Sequence, residues 1–325
     1  MKAVLCTSLD GPDGLVMSDL PTPKPTANQV IVRVEAVGLN FMDTLITRGA
    51  YQDKPDLPFS PGGEVAGHVC EVERDVVGFA VGDRVSAYVG WGGARELLAV
   101  DVERLVPIPA AVGAEMAAGL NITYGTAMHG LLDRATVQPA ETVVVLGASG
   151  GAGLAAVEVA TLIGARVIAV GTSEAKLAAC RDRGAEILVA DRGDGDLKVR
   201  LRDVAEGNGP DVIYDCVGGA FAEQALRALA WGGRYLVVGF AAGDIPKLPM
   251  NIVLLKGCDI LGVSWGQATQ RSPATHRAHM EMVFRWVESG RLKPHVHAVL
   301  PLDQAAEAIQ SIADRKITGK LILRP

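Results

Sequence analysis

A chain of 325 residues with 49% apolar and 21% charged side chains is long enough for two hydrophobic cores, and its make-up excludes disordered and collagen-like classes. Its net charge of −6, with no extended basic run, argues against a nucleic-acid partner. Five scattered cysteines, no apolar run of the roughly 18 residues that a membrane span needs, and no leader-like N-terminus point to a cytoplasmic protein without disulfides.

In chain order, the first third reads as short strands divided by Gly and Pro: "QVIVRVEAVGLN", "EVAGHVCEVE", "DRVSAYV" and "ARELLAV". From about Ala114 the texture changes, and "AAGLNITYGTAMHGLLDRA" has helical spacing. Apolar runs then alternate with helix-like stretches. "TVVVLG", "ARVIAVG", "AEILVA", "DVIYDCV", "GRYLVVGF" and "DILGVSW" are the expected strands, and helices are expected to begin near Ala152, Glu174, Leu197 and Phe221. Repeated strand–helix–strand units predict a parallel sheet covered on both faces. After Trp265 a long helix around His276 to Glu288 follows, and the last helix and strand are expected to rejoin the first domain. The predicted organisation is a β-rich domain at 1–120 and 266–325 around a doubly wound α/β domain at 121–265.

The stretch "ETVVVLGASGGAG" holds the strongest motif. Set against G-x-G-x-x-G it places Ala148 in the first glycine position, with Gly150 and Gly153 in the other two; Gly150 and Gly151 are the expected phosphate contacts. The motif follows one strand, opens a helix and precedes a second strand, which is the context a dinucleotide site requires. That second strand ends Gly171, Thr172, Ser173, with Lys176 a turn further on. No carboxylate stands there to bind a ribose 2′-OH, whereas hydroxyls and a lysine attract a 2′-phosphate, so NADPH is expected rather than NADH. Glu174 and Asp191 are the contrary residues.

Histidine pairs at helical (His276, His279) and strand (His295, His297) spacing lack the cysteine or carboxylate partners of a zinc site, and no metal is expected. No C-x-x-C motif occurs and no G-x-S-x-G elbow stands with its triad partners, which leaves nucleophilic hydrolysis with little support.

"GLNFMDTLITRGAY", "PFSPGGEVAGHV", "VGDRV", "NITYGTAMHGL", the glycine turn, "DVIYDCVGG" and "LAWGGRYLVVGF" together resemble the zinc-free quinone oxidoreductase (zeta-crystallin-like) branch of the medium-chain dehydrogenase/reductase superfamily over nearly the whole chain. The resemblance implies a GroES-like catalytic domain beside a Rossmann domain. Where zinc-dependent relatives carry cysteine and histidine ligands, this chain has Asn40 in the first segment and Gly63 before Glu64. The resemblance further implies that Asn40, Asp43 and Thr44 lie beside the nicotinamide and its ribose, and that Thr123 and Thr126 face the cleft. It implies that Ser173 and Lys176 join the glycine turn in holding the phosphates, that Phe240, Ala241, Ser264 and Trp265 flank the nicotinamide, and that Arg315 reaches the adenine side. Asn40, Thr123 and Tyr51 are the expected donors or orienting groups at the reacting end.

The expected reaction is hydride transfer from NADPH to a small electron-poor acceptor such as a quinone, whose hydroquinone product needs no strong general acid. Alternatives are reduction of an activated C=C bond in a 2-alkenal, enone or enoyl-CoA, and a non-catalytic NADPH-binding role. "DILGVSW" is an expected edge strand that pairs with a second copy in a homodimer.

Overall fold

The computed structural model describes residues 1–191 and 195–325, which form two compact units: Met1–Ile122 with Gly266–Pro325, and Thr123–Trp265. The first unit opens with the antiparallel pair β1 (Lys2–Cys6) and β2 (Leu15–Asp19). It continues through β3 (Gln29–Leu39), α1 (Phe41–Ile46), β4 (Glu64–Val72), β5 (Arg84–Tyr88), β6 (Leu97–Asp101), β7 (Leu105–Pro107) and α2 (Ala114–Ala117). The helix α3 (Asn121–Met128) leads into the second unit. There follow β8 (Thr142–Leu146), α4 (Gly151–Ile163), β9 (Arg166–Gly171), α5 (Glu174–Arg181), β10 (Ile187–Ala190) and α6 (Leu197–Val204). The unit closes with β11 (Val212–Asp215), α7 (Gly219–Ala228), β12 (Arg234–Val237), α8 (Met250–Lys256) and β13 (Asp259–Gly262). The chain then returns to the first unit as α9 (Trp265–Arg271), α10 (Pro273–Glu288), β14 (Val296–Pro301), α11 (Ala305–Ala313) and β15 (Lys320–Arg324).

In the first unit the strand order is β14-β15-β3-β4-β5-β7, with β6 also paired to β3. Valines of β3 alternate with exposed Arg33 and Glu35, and the valines pack with Val65, Val69, Val85, Ile309, Leu321 and Leu323 in one core. The returning tail is therefore interior to the sheet: β15 lies between β14 and β3, antiparallel to β3.

The second unit is a six-stranded, all-parallel sheet in the order β10-β9-β8-β11-β12-β13. Numbered from β8 this is 3-2-1-4-5-6, the doubly wound dinucleotide-binding order, whose switch point lies between β8 and β11. Val143, Val144 and Val145 of β8 are fully buried, as a strand covered on both faces requires. Residues 153–160 of α4 are all buried, which explains its alanine-rich sequence, and Gly164 ends the helix in the left-handed region at φ 93°. Among the described residues no helix is long and apolar enough to cross a membrane.

Candidate active site

The turn between β8 and α4 stands at the switch point of the second unit, at the carboxyl ends of the strands. Its tight bend is made by Gly147 at φ 72°, one residue before the alanine that the motif places first, so Ala148 can be a fully buried alanine without strain. The other two glycines differ in kind. A Cβ on Gly153 would sit 2.3 Å from the Gly147 carbonyl oxygen and 2.7 Å from Ala148 Cα, so this glycine is what lets α4 approach β8. A Cβ on Gly150 would meet nothing nearer than 3.4 Å, so the space over Gly150 is open. The first i→i−4 bond of α4 runs from Leu154 N–H to the Gly150 carbonyl at 2.8 Å, which leaves the N–H groups of residues 151–153 without partners in the helix ladder. An open cradle beneath the positive end of a helix fits a diphosphate, and these residues fit a dinucleotide.

Gly171 ends β9, and Ser173 is the N-cap residue of α5, where its hydroxyl makes no capping bond. Lys176 follows in the first turns of α5. Glu174 is exposed at the start of that helix, and Asp191 is not presented as an open carboxylate: its side chain is buried and Oδ2 accepts a bond from Arg200 Nη1 at 3.1 Å.

Phe240 and Ala241 follow β12, where the Ala241 N–H donates to the Cys216 carbonyl at 3.1 Å and ties this loop to the end of β11. That end is itself braced by Asp215, which accepts the Val217 and Gly218 N–H groups and the Tyr235 hydroxyl. Ser264, exposed, and Trp265, buried, follow β13. A Cβ on Gly125 would lie 2.7 Å from the Trp265 indole, so the glycine of "TYGT" makes room for that ring on α3. Thr123 is buried and Thr126 half-buried on the same helix. The second unit thus gathers Gly150, Gly151, Gly171, Ser173, Lys176, Phe240, Ala241, Ser264 and Trp265 at one edge of its sheet, the carboxyl end.

The first unit collects Asn40, Asp43, Thr44 and Tyr51 around α1, together with a buried network that sequence reasoning missed. Lys320 Nζ donates to the Leu39 carbonyl at 2.8 Å, to Asn40 Oδ1 at 2.7 Å and to Glu64 Oε1 at 2.7 Å. Asn40 Nδ2 donates to Glu64 Oε1 at 2.9 Å, and Glu64 Oε2 accepts the Ile122 N–H at 3.0 Å. Both ends of the Asn40 amide are therefore engaged inside the network, which fixes its orientation. Asp43, fully buried, accepts the N–H groups of Asn40 and Gly62, each at 2.8 Å, and so braces the start of α1 against the loop before β4. Burial pushes its carboxyl up to about 6 despite those two bonds and the Lys320 charge. Thr44 Oγ1 donates to the Phe41 carbonyl at 2.7 Å. Tyr51 packs on the small cluster of Cys6, Ile46 and Phe59. Tyr88 on β5 is a second phenol, also missed; burial first, and then Tyr51, raises its pKa, and burial raises that of Tyr51. Both phenols are donors at neutral pH. Arg315 lies exposed in the turn after α11 at φ 55°.

Two sequence families match the chain: "Alcohol dehydrogenase GroES-like domain" over residues 26–110 and "Zinc-binding dehydrogenase" over residues 151–283. A "Quinone oxidoreductase-like protein 2 homolog" from Nematostella vectensis is 38% identical over 326 residues, covering 99% of this chain and 88% of the relative. The chain belongs to the quinone oxidoreductase branch of the medium-chain dehydrogenase/reductase superfamily. It is an oxidoreductase of that superfamily, with the GroES-like and Rossmann domains of its fold. Among solved structures, the Escherichia coli quinone oxidoreductase complexed with NADPH has a TM-score of 0.91 at 27% identity and covers 100% of both chains. The CurK enoyl reductase has a TM-score of 0.89 at 26% identity, with 99% and 98% covered.

The description of the second family implies zinc, and the residues of this quinone oxidoreductase relative do not fit it. At Gly63 a Cβ would sit 2.5 Å from Met42 Cε and 2.8 Å from the Gly90 carbonyl oxygen, so no ligand side chain has room there. The Lys320 ammonium already supplies the cation beside Glu64 and Asn40. Among the described residues no group of three His, Cys, Asp or Glu could hold a metal ion.

Proposed function

We propose that this chain is an NADPH-dependent reductase of quinones. The observation that carries the reading is the open glycine cradle at the switch point of a 3-2-1-4-5-6 sheet, followed by a strand end with Ser173 and Lys176, beside which the Asp191 carboxylate is buried and engaged by Arg200. NADPH, when bound, supplies the hydride. The N–H groups at the start of α4 hold its diphosphate, and Ser173 and Lys176 its 2′-phosphate. In the second unit Thr123, Thr126, Phe240, Ala241, Ser264 and Trp265 orient the nicotinamide. In this proposal residues 1–120 and 266–325 form the catalytic domain and 121–265 the NADPH-binding domain. Tyr51 and Tyr88, protonated at neutral pH as any phenol is and more firmly so through burial, donate hydrogen bonds to the oxygens of the acceptor, where negative charge develops. No strong acid is needed, because a hydroquinone anion takes its proton from water.

The name of the Nematostella relative and the NADPH complex of the Escherichia coli enzyme support this reading. The likeness to CurK enoyl reductase favours a second, reduction of an activated C=C bond. Parallel assays of NADPH oxidation with 1,4-benzoquinone, 9,10-phenanthrenequinone, an enone and crotonyl-CoA separate the two. Turnover of both quinones is expected, and turnover of the thioester alone would overturn the assignment.

The active form proposed is a cytoplasmic homodimer. The edge strand β13 lies next to α8, which exposes Met250, Leu254 and Leu255, and Trp231 stands beside Gly257 at 82% exposure. An apolar edge of this kind favours cover by a second copy.

A further inference from the structure

Resting on the NADPH reading, one corner of the second unit holds a charge that the sequence motif does not contain. The N–H of Asp191 donates to the Gly171 carbonyl at 2.8 Å, so residue 191 lies against the end of β9, where a doubly wound fold holds the adenosine ribose. The acid that receives the 2′-OH of an unphosphorylated ribose ordinarily stands at the end of β9 itself, where this chain has Gly171, Thr172 and Ser173; Asp191, after β10, is the carboxylate of the neighbouring strand end. In this chain that carboxylate is turned inward with its side chain fully buried, and it is bonded to Arg200 Nη1 at 3.1 Å. Arg200 stands on α6, whose first turn is fixed by the Asp196 carboxylate accepting the Val199 N–H at 3.1 Å. The Arg200 side chain is 42% exposed, so one edge of the guanidinium is anchored on Asp191 while part of the group faces solvent. Gly195 runs past the pair: a Cβ on it would lie 3.5 Å from Asp191 Oδ2 and 3.8 Å from Arg200 Nη1, in ordinary contact.

We propose that Arg200 is a specificity-determining residue for the 2′-phosphate, and that Asp191 is its positioning residue. A planar guanidinium has five donors, so a bond to Asp191 leaves others for phosphate oxygens in a fixed fork, which a lysine ammonium cannot present. Among the described residues, the corner sets the cations Lys176 and Arg200 against the buried, paired Asp191 carboxylate and the exposed Glu174 and Asp196. A phosphate finds charge-assisted donors there. An unphosphorylated ribose finds a carboxylate already engaged.

The test is calorimetric titration with two cofactor fragments, adenosine 2′,5′-bisphosphate and 5′-AMP, so that no turnover is needed. The wild-type chain is expected to bind the bisphosphate more tightly. Arg200→Gln is expected to weaken bisphosphate binding by about 10- to 100-fold and 5′-AMP binding by less than about 2-fold. Because Arg200→Gln alone strands a buried carboxylate, the double variant Asp191→Asn/Arg200→Gln serves as the second probe and should show the same selective loss. Arg200→Lys should retain part of the preference. If both Gln variants keep the wild-type preference, Arg200 is not the selector and the NADPH reading stands. If the wild-type chain shows no preference for the bisphosphate, the NADPH reading itself fails.

Discussion

Lys320 has an ammonium surrounded by three oxygen acceptors, and its side chain is only 7% exposed. Removing it would leave Glu64, fully buried, with its charge uncompensated. Lys320→Met is therefore expected to destabilise the first unit by about 3–5 kcal/mol, read as a shift of the urea midpoint, where an exposed lysine would give almost none. Asp43 makes a prediction of opposite character. Its carboxyl is raised from 3.8 to about 6, so the folded state holds the proton more tightly than the unfolded chain does. That contribution is fully present below pH 3.8 and is lost as pH rises through about 6. Against Asp43→Asn, which does not titrate, the wild-type chain should lose about 2 kcal/mol of relative stability between pH 4 and pH 7. A difference that stays flat across that range would show that the two backbone N–H bonds outweigh burial. Neither residue could be weighed from sequence. A lysine in "GKLILRP" reads as surface, and its partner Glu64 lies 256 positions away; Asn40 entered by resemblance, without its neighbours.

At the scale of elements the glycine turn was legible because its determinants are contiguous: strand, bend and helix fall within residues 142–163. The strands of the parallel sheet were legible for the same reason, since burial on both faces writes itself as a local run of valines. The two-residue-wide logic of Gly150 and Gly153 can be separated experimentally. Gly153→Ala forces a Cβ against backbone atoms that cannot yield, and should cost about 1–3 kcal/mol or more in stability. Gly150→Ala meets nothing within 3.4 Å and should cost less than about 1 kcal/mol, yet its methyl enters the cradle and should weaken NADPH binding by about tenfold or more. Thermal melts and fluorescence titration of the two variants, side by side, check the contrast. Less legible were β14 and α8: the former is short of buried positions, and the latter carries exposed leucines that imitate a core helix.

For the whole molecule, the exposed side chains of α8 and the β13 edge predict association. Light scattering should give twice the 34.0 kDa of one chain, and Leu254→Glu should return it to one while leaving each chain folded by circular dichroism. A wild-type chain that scatters as a monomer would remove the proposal.

The placing of β15 between β14 and β3 also bears on how the protein is made. As the ribosome delivers the chain, Thr123–Trp265 has all its own strands before the last sixty residues emerge, and can close on its own. The segment 1–122, synthesised earlier, must wait until after the middle unit for the strand that fills its sheet and the cation that balances Glu64. Birth order and folding order are thereby inverted, and a nascent chain stalled short of Lys320 should present a protease-resistant middle flanked by a digestible beginning.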